Sequence, residues 1–252
     1  MKKKILIGGV ALILLGAGLI ALSGAFKPQT PTTATTPLLP AGGYVEHAAY
    51  DDIAANYATS TPLKGSANAA AVEAMQQFVA STIAQFKKDG NFASITPAEA
   101  EQMGLGAGRK ATLQITYLIA SSAHTASYIF STYEDTLGAH GNLFFHTFTF
   151  DTTTGRQLAL GDLFLPGSDY LAKLSELARA QLPSIIGSGM VSEQMLDQGT
   201  TPEDKSFSNF FIDNGDLVIL FAPYAVAPYA AGPQTLRIPL SDLSSLLKPE
   251  YR

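Results

Sequence analysis

The stretch Gly138–Phe148, GAHGNLFFHTF, holds two of the four histidines in this chain of 252 residues. Paired imidazoles can ligate a metal, and a single one can act as a general base beside carboxylates. Spacing argues against a shared metal. Asn142 to Phe150 reads as a strand, with His146 on the face of Phe144, Phe148 and Phe150. His140 precedes that strand in a loop flanked by glycines. Six residues of strand span roughly 20 Å, whereas both ligands of one zinc lie about 2 Å from the ion. The expectation is a buried, hydrogen-bonded His146, a loop-structuring His140, and neither metal nor other cofactor. The nearby carboxylates read as structural. Asp151 and Asp162 each sit next to a turn, where aspartate accepts from backbone amides. Glu134-Asp135 reads as a solvated strand end.

Other chemical motifs are incomplete. In Gly104–Thr112, GLGAGRKAT, Arg109 separates the last glycine from Lys110 and Ala111 follows it, so the phosphate-loop order fails. No G-x-S-x-G nucleophile turn occurs. Cysteine is absent, which removes disulfides, thiol nucleophiles and thiolate metal sites. Phe221–Pro233, FAPYAVAPYAAGP, is different in kind. Aromatic rings on a proline-stiffened loop offer contact area at low entropic cost. Tyr224 and Tyr229, with His140 and Asn142 of the glycine-flanked loop, are the candidate binding residues. The other reading of the tyrosine loop is a rigid connection whose rings pack on a sheet.

These loops need a scaffold, and its elements are legible. Val72, Met75, Val79, Ile83 and Phe86 recur at helical spacing within a helix expected from Asn68 to Lys88, stopped by Asp89-Gly90. Thr96, Pro97 and Glu99 form a capping-box signature for a short helix ending at Gly104. Strands are expected over Ala49–Tyr57, around Leu113–Ile119, and over Thr125–Glu134 and Asn142–Phe150. A helix from Asp169 to Leu182 turns Leu171, Leu174, Leu177 and Ala178 inward. Phe207–Ile212 and Leu217–Phe221 pair across Asn214-Gly215. Thr235–Pro239 is a last strand, and Ser241 caps a C-terminal helix. Strands in runs, broken by few helices, indicate an α+β fold with a mostly antiparallel sheet and packed helices, preceded by one N-terminal transmembrane helix.

That transmembrane helix is read from the N-terminus. Lys2, Lys3 and Lys4 precede Ile5–Phe26, which carries no charge. As a helix this run is roughly 33 Å long, enough for a bilayer core. The lysines hold the N-terminus in the cytoplasm and place the rest outside. An uncleaved anchor over residues 1–26 is the favoured reading; cleavage at the small residues Ser23-Gly24-Ala25, giving a secreted protein, is the other. Residues 27–43, rich in proline and threonine, form an extended linker. Two α+β modules follow, 44–109 and 110–252, packed as one unit. Net charge is −5, and discounting the three leading lysines leaves the remainder more acidic, which argues against a nucleic-acid partner.

Tyr133–Phe164 contains a Gly-Ala-His turn, a strand ending in Phe-Asp, a Thr-Gly turn and Leu-x-Asp-Leu-Phe. Asn209–Leu243 contains Tyr-x-Val-Ala-Pro-Tyr-x-x-Gly. In that order they resemble the extracytoplasmic module shared by RsiV-like anti-sigma factors and PdaC-type peptidoglycan deacetylases. The resemblance implies an envelope-facing binding or sensing domain for a cell-wall glycan or an envelope protein, lysozyme-like proteins among them. No sigma factor is expected as a partner, because only four residues precede the apolar run. No deacetylase chemistry is implied, because Asp151 is followed by Thr152 and no two histidines lie four apart. An enzyme is thus the less favoured class; its form would be a cell-wall hydrolase using carboxylates near His140. The topology has a direct test. Protease added to intact spheroplasts is expected to degrade the C-terminal domain, and full protection would reject this orientation.

Overall fold

A computed structural model of the chain describes residue 40, residues 42–105 and residues 108–252. The apolar run over residues 5–26 and residues 27–39 of the linker lie outside the described residues. No helix among the described residues is long and apolar enough to cross a membrane. The described residues form one compact unit.

The first sheet has five strands in the order β1 (Tyr44–His47), β2 (Asp51–Ala55), β3 (Ala111–Ser121), β4 (Thr125–Asp135) and β5 (Asn142–Asp151). All neighbours are antiparallel except β2 and β3, which are parallel. The crossover between those two carries helix α1 (Gly65–Gly90) and the short helix α2 (Pro97–Met103). The single strand expected over Ala49–Tyr57 is in fact the second arm of a hairpin. Its first arm, β1, alternates half-buried and exposed positions without strongly apolar inward residues, so no period-two pattern marks it. The sheet runs through both stretches expected as modules, since β1 and β2 share it with β3, β4 and β5.

Helix α1 buries Ala71, Met75, Val79, Ile83 and Phe86 against the face of the sheet that carries Ile53, Leu113, Ile115, Tyr128, Phe130, Phe148 and Phe150. Ala71 takes the inward position assigned to Val72, which is half-buried. The helix continues through Gly90 and ends at Asn91, whose left-handed backbone (φ 49) lets its N–H reach the Lys87 carbonyl at 3.0 Å. Thr96 and Glu99 form the expected capping box on α2, and Gly104 (φ 71) ends it.

The second sheet contains β6 (Phe210–Asp213), β7 (Asp216–Phe221) and β8 (Gln234–Pro239). Asn214 (φ 50) and Gly215 (φ 83) turn β6 into β7, a left-handed pair suited to the twist of a two-residue hairpin. Helix α3 (Tyr170–Ile186) packs on β8 through Leu174, Ala178, Leu182 and Ile186. Leu171 and Leu177 are half-buried at its flanks. A fourth helix, α4 (Glu193–Gly199), has only Leu196 fully buried, too few apolar residues to show a period. The C-terminal α-helix expected after Ser241 does not form. Leu240–Leu243 is a 3-10 turn with Ser241 inside it, and a second such turn covers Pro249–Tyr251. The chain beyond the first turn pairs instead with residues 163–165: the Leu165 N–H donates to the Leu246 carbonyl at 2.8 Å and the Lys248 N–H to the Leu163 carbonyl at 2.9 Å.

The sheets meet through β5. Its Phe148 and Phe150 point into the α1 core, while Thr147 and Thr149 point the other way. Phe210 donates its backbone N–H to Thr147 Oγ1 at 3.1 Å and accepts from Thr149 Oγ1 at 3.1 Å. Ser127 on β4 adds a buried 3.0 Å contact to Thr149. Strand β6 thus lies across β3, β4 and β5.

One buried carboxylate is not fully hydrogen-bonded. Asp51 is 3% exposed, and its Oδ2 has no hydrogen-bond partner among the described residues. Burial raises its pKa above the ordinary carboxylate value, and the nearby Glu46 charge adds to the rise. A raised folded-state pKa means that the fold favours the protonated form. Its contribution is therefore most favourable at acid pH and is lost as pH climbs through the ordinary carboxylate range to the folded value. Asp51→Asn is expected to raise Tm by a few degrees at pH 7 and to change it little near about pH 3. Thermal melts at the two pH values measure the difference.

Candidate functional site

The loop between β4 and β5 and the loop between β7 and β8 lie far apart in sequence, and the structure brings them together. The imidazole of His140 stacks on the ring of Tyr229, with centroids 3.8 Å apart and planes at 21°. Tyr224 closes the group, 5.4 Å from Tyr229 and 6.1 Å from His140 between ring centroids.

Hydrogen bonds fix the orientation of each ring. Tyr229 donates its hydroxyl to the Gly141 carbonyl at 2.7 Å. The His140 Nδ1 lies 3.0 Å from the same carbonyl, which can only accept, so Nδ1 carries the proton. In the neutral ring Nε2 is then an acceptor, and the Tyr224 hydroxyl donates to it at 3.3 Å. No carboxylate is among these partners. Asn142, the first residue of β5, is exposed, and among the described residues no hydrogen bond joins its side chain to this group.

The local backbone explains the positions. Leu137 is left-handed (φ 66) at the start of the loop, and its N–H is held by Asp135 Oδ1 at 2.7 Å. At Gly141 a Cβ would fall 2.2 Å from the Tyr133 hydroxyl, so glycine lets that ring lie over the backbone. On the second loop, Val226 and Ala227 are buried and anchor the segment in the core beneath the second sheet. Pro228 leads into a 3-10 turn over Tyr229–Ala231, and Gly232 (φ 70) ends it. Gln234 donates to the carbonyls of Ala231 and Gly232 from a buried position. Tyr224 itself has φ 69, a conformation that costs an ordinary residue roughly 1–2 kcal/mol. It is nevertheless 54% exposed, so no burial of its ring offsets that strain. Tyr229 is half-buried.

The support beneath Tyr224 comes from a residue with no chemistry of its own. A Cβ on Gly199, the last residue of α4, would fall 1.9 Å from the Ala225 carbonyl oxygen and 2.7 Å from Val226. Only glycine lets the tyrosine loop lie against α4. Sequence reasoning missed this contact, because nothing local to Gly199 signals an approach from a loop 26 positions later.

His146 does not belong to this group. It was expected to be buried and hydrogen-bonded; it is exposed, and its ring stacks on Phe78 of α1 at 4.5 Å. β5 is an edge strand, so α1 covers one flank of the imidazole and leaves the other open. The apolar rings around it depress its pKa by desolvation. Among the described residues no cluster of three or more His, Asp or Glu could hold a metal ion.

Asp151 and Asp162 are structural. Asp151 accepts from the backbone of Thr153 at 2.9 Å and of Thr154 at 2.7 Å, and from the Tyr251 hydroxyl at 2.8 Å. Burial pushes its pKa up, but these donors outweigh burial and hold it below the ordinary value. Asp162 is held low first by Arg156, at 2.8 Å, with the Ala159 amide also donating to it. Burial raises the pKa of Glu134, and Asp89 adds like-charge repulsion.

The geometry defines an α+β module that presents an aromatic cluster on two loops. Residues 161–241 match the family described as "Protein of unknown function (DUF3298)", a stretch that includes Tyr224 and Tyr229. Over 140 residues, 55% of its length, the chain is 32% identical to the peptidoglycan-N-acetylmuramic acid deacetylase PdaC of Bacillus subtilis strain 168. That alignment spans only 30% of the deacetylase, so the likeness is to a module of the larger enzyme. A crystal structure of a DUF3298 family member from Bacteroides fragilis superimposes with a TM-score of 0.56 at 21% identity, covering 82% of this chain and 91% of that one. A DUF3298 protein from Pseudomonas aeruginosa gives 0.49 at 16% identity, covering 84% and 96%. The first of these likenesses shows the fold. The chain thus resembles DUF3298 over residues 161–241 and, over a longer stretch, part of PdaC.

The glycine support can be tested without touching the aromatic rings. Gly199→Ala is expected to destabilise the domain by about 1–3 kcal/mol, the usual cost of overpacking. Gly138→Ala, where a Cβ meets nothing within 4 Å, is expected to be nearly neutral. Urea denaturation of the two variants makes the comparison.

Proposed function

We propose that this protein is a membrane-anchored, extracytoplasmic binding domain that takes cell-wall glycan on the surface formed by His140, Asn142, Tyr224 and Tyr229. The observation that carries the reading is Tyr224: an exposed ring held in a strained backbone conformation, with its hydroxyl tied to His140. Strain of this kind persists where a function requires the placement. The exposed ring provides a flat apolar surface, while the Asn142 amide and the Tyr224 hydroxyl offer polar groups suited to sugar hydroxyls and amides. The relative named as a peptidoglycan deacetylase supports cell-wall glycan as the ligand class. The uncharged run over residues 5–26, behind three lysines, supports anchoring with the domain outside.

A second reading rests on how far Tyr224 projects. A ring this exposed also suits the cleft of an envelope protein, including a lysozyme-like one. The two readings share a surface and differ in ligand. Tyr224→Ala is expected to weaken binding of soluble muropeptides about thirtyfold, equivalent to about 2 kcal/mol for an aromatic anchor, with Tm unchanged. Calorimetric titration of the protein and the variant with muropeptides, and separately with lysozyme, measures both. If lysozyme alone binds, the second reading replaces the first; if neither binds the unaltered protein, both are lost.

A further inference from the structure

Strand β3 is longer than the strand beside it. β2 pairs with residues 111–115 of β3 and stops, so the outer edge of residues 117–121 has no neighbour among the described residues. The direction of the free groups follows from the paired ones. Ala111 donates its N–H to the Tyr50 carbonyl, and the Ile115 carbonyl accepts from Asn56, so odd-numbered residues of β3 address this edge. Tyr117, Ile119 and Ser121 therefore present three N–H and three C=O groups outward. The side chains add to the exposure: Leu118 is 72% and Ile119 59% exposed. Sheet edges are commonly protected by charge, proline or a bulge. Residues 116–121, TYLIAS, contain no charge, proline or glycine.

We infer that this edge pairs with the same edge of a second copy of the chain, through an antiparallel two-fold contact centred on Ile119. The length of the free edge suits that partner. The three outward residues are symmetric about Ile119, so the two-fold sets Ile119 against Ile119 and Tyr117 against Ser121. All six outward groups on each strand then find partners. Leu118 meets Ala120 on the opposite face. Charge permits the contact: two acidic chains meet along strips with no charged side chain, so no like charges are opposed. Asn56, bonded at Ile115, bounds the slot, and the partner strand turns away at Ser122 before reaching it. The contact joins one short strand from each chain, so association is weak and concentration-dependent.

This inference is independent of the ligand proposed above. Ile119 pairs with Tyr128, whereas the His140 loop follows the far end of β4. The separation along the strands is roughly 20 Å. A dimer would leave both aromatic clusters open and present them as a bivalent surface to a repeating polymer.

The absence of native cysteine allows a position-specific test in the full chain. Opposed residues in a hydrogen-bonded antiparallel pair have Cα atoms about 5.5 Å apart, within disulfide reach. Two copies of Ser121 would lie roughly 13 Å apart, beyond it. Ile119→Cys under mild oxidation is expected to give a disulfide-linked dimer at least fivefold more abundant than Ser121→Cys. Ile119→Lys, which opposes two ammonium groups at the axis, is expected to abolish the concentration-dependent dimer in sedimentation velocity. Equal cross-linking at both positions, or a dimer that survives Ile119→Lys, overturns the inference. So does hydrogen-exchange protection of Tyr117, Ile119 and Ser121 in monomer, which would show the edge covered by another segment of the same chain.

Discussion

The two-sided character of β5 is the constraint on which the rest depends. Period-two alternation sends Phe148 and Phe150 into the core under α1 and turns Thr147 and Thr149 toward the second sheet. The threonines satisfy both the N–H and the C=O of Phe210. A buried backbone group left without a partner costs about 1–3 kcal/mol, so any shift of β6 along this face would carry two such penalties. A one-residue slip of β5 would be worse, because it would set phenylalanines against β6 and hydroxyls into the apolar core. The strand therefore fixes both the register of its own sheet and the seating of the other.

The aromatic cluster follows from that seating. His140 and Asn142 belong to the entry of β5, and Tyr224 and Tyr229 to the exit of β7. Neither loop alone forms a surface with defined polar groups. Once joined, the Gly141 carbonyl becomes an acceptor shared by His140 and Tyr229, and the His140 tautomer is set by that carbonyl. The only side-chain hydrogen bond of Tyr224 among the described residues then runs to His140 Nε2. The rings are thus held in fixed orientations by one another and by the Gly141 carbonyl. Gly199 and the buried pair Val226-Ala227 hold the second loop from below.

The likeness to PdaC spans 55% of this chain and 30% of that protein. In this chain the acidic side chains near the loops serve turns and ion pairs. The two sheet ends then have separate characters: one carries strained backbone and aromatic rings, the other an uncharged strand edge with no partner among the described residues.

Local patterns in the sequence determined much of the scaffold. The stripe Met75-Val79-Ile83-Phe86 specified α1, Thr96 through Glu99 specified the α2 cap, and Asn214-Gly215 specified the β6–β7 turn, because each signal acts within a few residues. The same held for the two loops, whose glycines, prolines and aromatics marked them as unusual. What failed was whatever depended on a distant partner. β1 has no pattern without β2 beside it, α4 has too few apolar residues to announce itself, and the chain after Ser241 is held out of a helix by pairing with residues 163–165. His146 shared a face with phenylalanines yet came out exposed, since its position at the sheet edge is a property of strand order. The meeting of His140 with Tyr224 and Tyr229, across more than 80 residues, was decided only by the packing of β6 on β5. Residue type and spacing fix local geometry through short-range sterics and hydrogen bonds, but which loops become neighbours is set by how two apolar faces are buried together, and that is a property of the whole chain.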